Sequence, residues 1–585
     1  MSKIFKHSSL LASSALMLGF FPLESQAFIF KLEEATIADV RSAYETGTLT
    51  SRQLTQMYLD RIAADDRRRS NLNSIAFLNP NALEDAKRLD RLRSQGTILG
   101  PLHGIPVVVK DSFNVKGLPT TNGVGAFKSL IAQEDAFAVA KLREAGAIIL
   151  GKANMSTWAF SYDGISESYG SVINPYAPDR TPGGSSSGSA VAVAANFAML
   201  AMGGETGGSI RVPSTHNALV GLKPTAGLIS VDGTWPLVTE RDVIGPMARN
   251  VSDVAIAMDA LARFDQNNLW NPYIPNPDEI RPDSYTNFLD NTSLEGKVLG
   301  LPRPYIGKGD PNKGPSFPVD PQVDTAFERA KRVLEAQGAT LVEVDIPVYE
   351  GAFVDGLPDA YTSTLFERDL QSRAYYYEQL IKGYDDDRIK SFVDLLNILP
   401  QDYVYYDYVQ QIADTISSGQ AKPWSDIPAI AAAFEAIGQV RTQQYEDFMA
   451  DNGIDAFVFP TLNYLAPPQG PEGDEVYAIY GTLPARLEAN ILGLPAITVP
   501  MGYSKEGIPM SLEFMGNYFG EAEIISYAYD YEQATQFRRP PSLPIPEPTT
   551  APTLVLLGLG AFTFKLKSRR FYLAKIKPKT RDRNN

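Results

Sequence analysis

The sequence predicts an α/β protein built on a large sheet, and three observations carry that reading. Short β-branched runs recur along the 585 residues, segments of helical period separate them, and glycines sit where those helices should stop. The composition, 44% hydrophobic and 21% charged, is that of a chain that folds, which excludes wholesale disorder.

Residues about 35–95 read as helices, because Leu54, Met57, Tyr58 and Arg61 share one face and Ala82, Ala86 and Leu89 share the next. The run 104-GIPVVVKD-111 follows as a strand buried on both faces. Then 136-AFAVAKLREAG-146 is amphipathic, ends on a glycine and leads into 147-AIIL-150, a strand, helix, strand unit. The runs 297-KVLGL-301, 339-ATLVEVDI-346, 456-AFVFP-460 and 496-AITVP-500 alternate with helical patterns such as 323-VDTAFERAKRVLEAQG-338. Two stretches, about 262–295 and 350–445, break the pattern with Asn, Pro, Asp and Tyr, and read as insertions that shape a pocket.

The two ends differ from this body. Residues 1–27 carry Lys3 and Lys6, the apolar run 9-SLLASSALMLGFFPL-23 and the small-residue exit Ser25-Gln26-Ala27, the layout of a secretory signal peptide. Residues 541–585 read as a tail: Pro-Glu-Pro at 546–548, a short apolar segment at about 551–564, then a basic end. Motif, apolar segment and charged stop make a tripartite sorting signal that resembles the PEP-CTERM tail of exported bacterial proteins. It implies membrane association through that segment before processing, and a folded body in the cell envelope or outside the cell. Residues 565–585 hold nine Lys or Arg against one Asp, so the net charge of −15 leaves −23 on the rest, which disfavours nucleic acid as a partner.

What the chain lacks narrows its chemistry. Cysteine is absent, which removes disulfides, thiol nucleophiles and thiolate metal sites. Only three histidines exist, His7 in the leader, His103 and His216, so a Ser-His-Asp site or a histidine-rich metal site is poorly supplied. The run 183-GGSSSGS-189 lacks the Gly-Lys-Ser/Thr ending of a phosphate loop. What remains is Lys110, at the carboxyl end of a buried strand, with two Gly-Ser loops. Burial lowers a lysine's proton affinity, and a neutral lysine can take a serine proton. The loop 206-TGGSIR-211 suits an oxyanion hole, since N–H groups around two glycines can converge on one charge.

Taken together, 101-PLHGIPVVVKD-111, 150-LGKANMS-156, 174-NPYAPDRTPGGSSSGSAVAVAA-195, 203-GGETGGSIRVPS-214, 221-GLKPTAG-227, 245-GPMARNVSD-253 and 492-LGLPAITVPMG-502 resemble the amidase signature family. The resemblance runs from about residue 35 to 540. It implies the amidase signature fold as one domain over 28–540, a large mixed central sheet surrounded by helices. It implies a Ser-Ser-Lys triad: Ser209 as nucleophile, Lys110 as general base, and Ser185, 24 residues before Ser209, as the bridging serine behind a cis Gly184-Ser185 bond. The N–H groups of Thr206, Gly207, Gly208 and Ser209 match the family's oxyanion hole, with Ser186 and Arg211 in support. Glu205 stands where the family often has Asp; His103 and His216 are expected to be structural.

The implied activity is an exported serine amidohydrolase working through an acyl-serine, with no metal or organic cofactor. The substrate is a small-molecule or peptide amide, the latter favoured because 184-GSSSGSAVAVAAN-196 resembles peptide amidases. An esterase of the same family and a catalytically silent surface binding protein stand as alternatives.

Overall fold

The computed structural model describes residues 30–309, 317–346, 357–470 and 484–543; the leader and, beyond residue 543, the tail read from the sequence lie outside these. Its strands are β1 (Ile75–Leu78), β2 (Pro106–Lys110), β3 (Ile148–Ala153), β4 (Ile165–Ser166), β5 (Gly170–Ser171), β6 (Leu200–Glu205), β7 (Val220–Lys223), β8 (Val243–Ala248), β9 (Val298–Pro302), β10 (Thr340–Val344), β11 (Ala456–Pro460), β12 (Ala496–Tyr503) and β13 (Pro509–Met515). Eleven form one sheet in the order β1-β3-β2-β6-β8-β7-β12-β13-β11-β9-β10, while β4 and β5 make a small ribbon. Parallel pairing joins β3-β2-β6 at one side and β11-β9-β10 at the other, with antiparallel pairing between. The sheet is large and mixed, as the resemblance implied.

Every β-branched run singled out above became a strand. The sequence reading did not pick out β1, which falls in the stretch read as helices, nor β6, β7, β8 (243-VIGPMA-248) and β13 (509-PMSLEFM-515); the last two have apolar runs broken by Gly, Pro, Ser or Glu. Both β8 and β13 are flanked by partners on both sides, so pairing outweighs a weak local preference.

Helices Ile37–Glu45 and Ser51–Arg61 start at capping boxes made by Thr36 with Asp39 and Thr50 with Gln53. Leu54, Tyr58, Ala82, Ala86 and Leu89 are buried, the faces their spacing predicts. Helix Ser187–Ala194 is different: all eight residues are buried and every side chain is small. A helix with no polar face belongs inside, and the lack of bulk lets it press onto the sheet. Ser189 Oγ ties it to the Met202 carbonyl on β6 at 3.0 Å.

The described part of 350–445 is far more helical than its composition suggested. Helices Leu365–Lys382, Tyr406–Ser417 and Pro428–Arg441 occupy about half of it. The apolar period is hidden because tyrosine supplies much of the buried surface while keeping a polar tip. Tyr377 packs its ring 5.9 Å from Trp158 and 4.9 Å from Trp235, and Trp158 Nε1 donates to Tyr403 at 3.1 Å.

Gly188 marks the tightest approach. A Cβ there would lie 2.3 Å from the Ser74 carbonyl oxygen and 2.5 Å from the Asn154 nitrogen. On an open helix Gly→Ala stabilises by about 1 kcal/mol. Here Gly188→Ala should instead destabilise by about 1–3 kcal/mol through overpacking, read as a lower urea midpoint.

Candidate active site

Strands β2 and β6 run parallel, Val107 beside Leu200 and Val109 beside Met202, so Lys110 and Glu205 emerge at the same carboxyl edge. Ligands of α/β sheets gather at such an edge. Past β6 the chain makes the loop 206–210 and enters helix Arg211–His216. From the other side, Ser185 arrives on the turn that opens helix Ser187–Ala194, after a cis Gly184-Ser185 peptide.

Lys110 is buried, and its Nζ donates to Ser185 Oγ at 2.8 Å and to the Gly204 carbonyl at 3.0 Å. Burial pulls Lys110 down to about 7, against the carboxylates of Asp242 and Glu205, which favour its charge. The amine is therefore poised to be neutral just above neutrality.

Ser186 laces the two loops together. Its Oγ donates to the Gly204 carbonyl at 3.1 Å and accepts the Gly204 N–H at 3.2 Å, while its own N–H donates to the Ser209 carbonyl at 3.3 Å. Ser185 and Ser186 are fully buried; Ser209 keeps 6% of its surface exposed, so it is the serine nearest to solvent. Gly208 sits at φ +118, a conformation open to glycine but strained for a side chain. The N–H groups of Thr206, Gly207, Gly208 and Ser209 have no acceptor among the described residues.

Behind this loop lies a buried ionic knot. Glu205 accepts the N–H groups of Ile210 (2.9 Å) and Arg211 (3.1 Å), and takes Arg211 Nε at 2.8 Å and Nη2 at 2.6 Å. Burial opposes its charge, yet the Arg211 guanidinium holds the carboxyl below its ordinary value. Arg211 also bonds Glu513 from β13, and its Nη2 donates to Asn490 at 3.1 Å. Glu205 thus accepts two backbone N–H groups just past Ser209 while gripping a side chain anchored to the far half of the sheet.

All the residues singled out from the sequence meet here: Lys110, Ser185, Ser186, Thr206 to Ser209 and Arg211. The two histidines are placed otherwise. His103 uses both ring nitrogens on backbone, accepting from Leu99 N–H at 3.1 Å and meeting the Leu89 carbonyl at 3.0 Å. His216 is buried at the end of its helix beside Tyr464. Asp111, next to Lys110 in sequence, pairs instead with buried Lys152 at 3.0 Å.

Sequence reasoning missed Tyr162, Asp242, Glu513 and Asn490. Tyr162 OH donates to the Gly207 carbonyl at 2.6 Å. Because a trans peptide is planar, fixing that carbonyl aims the Gly208 N–H the opposite way. Nothing in the spacing ties residue 162 or 490 to residue 207. Asp242 stands three residues before the quoted 245-GPMARNVSD-253 segment, which was the available hint.

Fold and relatives together define an amide-hydrolysing α/β enzyme. The chain belongs to the amidase signature family: the Amidase family model matches residues 53–525. A PEP-CTERM protein-sorting motif matches residues 544–570. Among curated relatives, a glutamyl-tRNA(Gln) amidotransferase subunit of Halorhodospira halophila is 33% identical, over 87% of this chain and 99% of its own length. Among solved structures, the native peptide amidase of Stenotrophomonas maltophilia is 34% identical with a TM-score of 0.71, covering 87% of this chain and 98% of that one. A peptide amidase in complex with the competitive inhibitor chymostatin gives 35%, 0.72, 88% and 100% in turn.

The ionic knot generates a stability prediction. Removing Arg211 leaves buried carboxylates without their cation, so Arg211→Met should cost about 3–5 kcal/mol in urea unfolding. Glu513→Gln, which keeps the shape and an acceptor, should cost less than half of that.

Proposed function

We propose that this protein is an exported amidohydrolase that cleaves a carboxylic acid amide, with a peptide amide as its preferred class, through an acyl-serine on Ser209. The observation that carries the mechanism is the 2.8 Å bond from the Lys110 amine to Ser185 Oγ at a buried sheet edge. Neutral Lys110 draws the proton of Ser185 as Ser185 draws that of Ser209, and Ser209 Oγ attacks the amide carbonyl. The N–H groups of Thr206, Gly207, Gly208 and Ser209 receive the oxyanion. The proton returns through Ser185 to the departing nitrogen, which leaves as ammonia or an amine. Water then enters, gives its proton to the same relay and releases the acid. These steps draw only on side chains and backbone of this chain.

The peptide class is supported by 34% identity to a peptide amidase along nearly its whole length, and by the peptide-like inhibitor bound in its counterpart. A role within an amidotransferase, the name its curated relatives bear, fits less well with a PEP-CTERM motif and an acidic body that repels RNA. Export is supported by that motif together with the leader-like residues 1–27.

A panel of amides with matched esters tests activity, bond type and substrate class at once. Ser209→Ala should lower kcat/KM by at least about 10⁴-fold, with Lys110→Met close behind. Equal loss on no substrate, because the wild type cleaves none, would sink the enzyme reading. The wild-type kcat/KM should rise with pH through about 7, since the base must shed its proton and burial brings Lys110 to that range. Export is read from the intact mass of the mature protein, which should lack residues 1–27.

A further inference from the structure

Asp242 stands where three parts of the molecule meet. It opens β8 from the loop 236–242, and its carboxylate accepts the Leu237 N–H at 2.7 Å, the Val238 N–H at 3.1 Å and the hydroxyl of Thr206. It lines one small cavity with Lys110, Gly204 and Thr206. Helix Leu365–Lys382 clamps the loop: Arg373 Nη1 donates to the Leu237 carbonyl at 2.9 Å, and Tyr377 OH donates to the Pro236 carbonyl at 3.0 Å. Arg368 holds Glu240 through two bonds of 2.8 and 3.0 Å.

We propose that Asp242 is a positioning residue of this site, fixing Thr206 at the head of the glycine loop and presenting the charge that keeps a proton on Lys110. The inference rests on the reading of Lys110 as base and Ser209 as nucleophile. Two carboxylates bear on the lysine, Glu205 and Asp242. Glu205 is neutralised by the Arg211 guanidinium, 2.6 Å away. Asp242 faces Asp369, Arg373 and Tyr377 on helix Leu365–Lys382 and Tyr408 on helix Tyr406–Ser417. Arg373 is itself paired with Asp369 at 3.0 Å, and burial pushes both tyrosines up, so they stay neutral. Burial pushes Asp242 up to about 6, against the donors on its oxygens, so it becomes an anion just below the range where Lys110 sheds its proton. Without that anion the lysine becomes neutral at lower pH.

The test is the rate of Ser209 labelling by a fluorophosphonate across pH, in which Ser209 Oγ bonds phosphorus, fluoride leaves and the hydroxyl proton passes through Ser185 to Lys110. The wild-type rate should rise with a midpoint near the value of Lys110, about 7. Asp242→Asn should move that midpoint down by about one pH unit. A purely structural role would lower the rate at every pH and leave the midpoint in place, which overturns the proposal. Thr206→Val leaves the carboxylate in place but cuts the bond; it should lower the plateau about tenfold, and Thr206→Ser should restore it. A wild-type plateau in Thr206→Val overturns the proposal as well, and this pair carries the test if Asp242→Asn does not fold. A wild-type protein that never labels overturns the base and nucleophile reading itself.

Discussion

A lysine amine held out of water at the end of a strand is the constraint around which this molecule is arranged. Lys110 reaches its position because 106-PVVVK-110 is buried along its whole length, and among the described residues its Nζ donates to oxygen on Ser185 and Gly204. Desolvation of a cation is costly, and that cost lets an ordinarily basic group give up its proton near pH 7. The tight packing around it serves the same end. Helix Ser187–Ala194 is buried on every side, and its small side chains pack against β2, the strand that ends in Lys110, and β6.

The opposite strategy governs the ground behind the glycine loop. Arg211, Glu205 and Glu513 have essentially no exposure, and they compensate one another in a chain of short bonds from β6 to β13, although burial pushes Glu513 up to about 7. Glu205 shows why a longer acid is tolerated there. Its extra methylene does not displace it from the loop: one oxygen accepts Ile210 and Arg211 N–H, and the other takes the guanidinium. The same carboxylate therefore couples backbone beyond Ser209 to the central sheet.

Segment 350–445 is the part whose importance was least apparent. Its helices carry Arg368, Arg373 and Tyr377, and each bonds the loop that holds Asp242 or Glu240. Tyr377 and Trp235 also share an aromatic cluster with Trp158, so the loop near the lysine is gripped by charge on one side and ring packing on the other.

Local signals sufficed for much of this. The α/β class, six of the sheet strands, the Gly-Ser loops and the lysine between them are legible because burial on both faces demands continuous β-branched runs, and close backbone approach demands glycine. Order and spacing of those loops were enough to name the family. Tertiary structure alone decided which groups meet the lysine, the glycine loop and the arginine behind it. Tyr162, Asp242, Asn490 and Glu513 lie at 52, 132, 380 and 403 residues from Lys110 in sequence. Glu513 arrives on β13, Asn490 on helix Pro484–Ile491, and Tyr162 and Asp242 on loops, and no local period encodes these placements. Asp111 shows the converse: adjacent to Lys110, it faces Lys152, because successive strand residues point to opposite sides of the sheet.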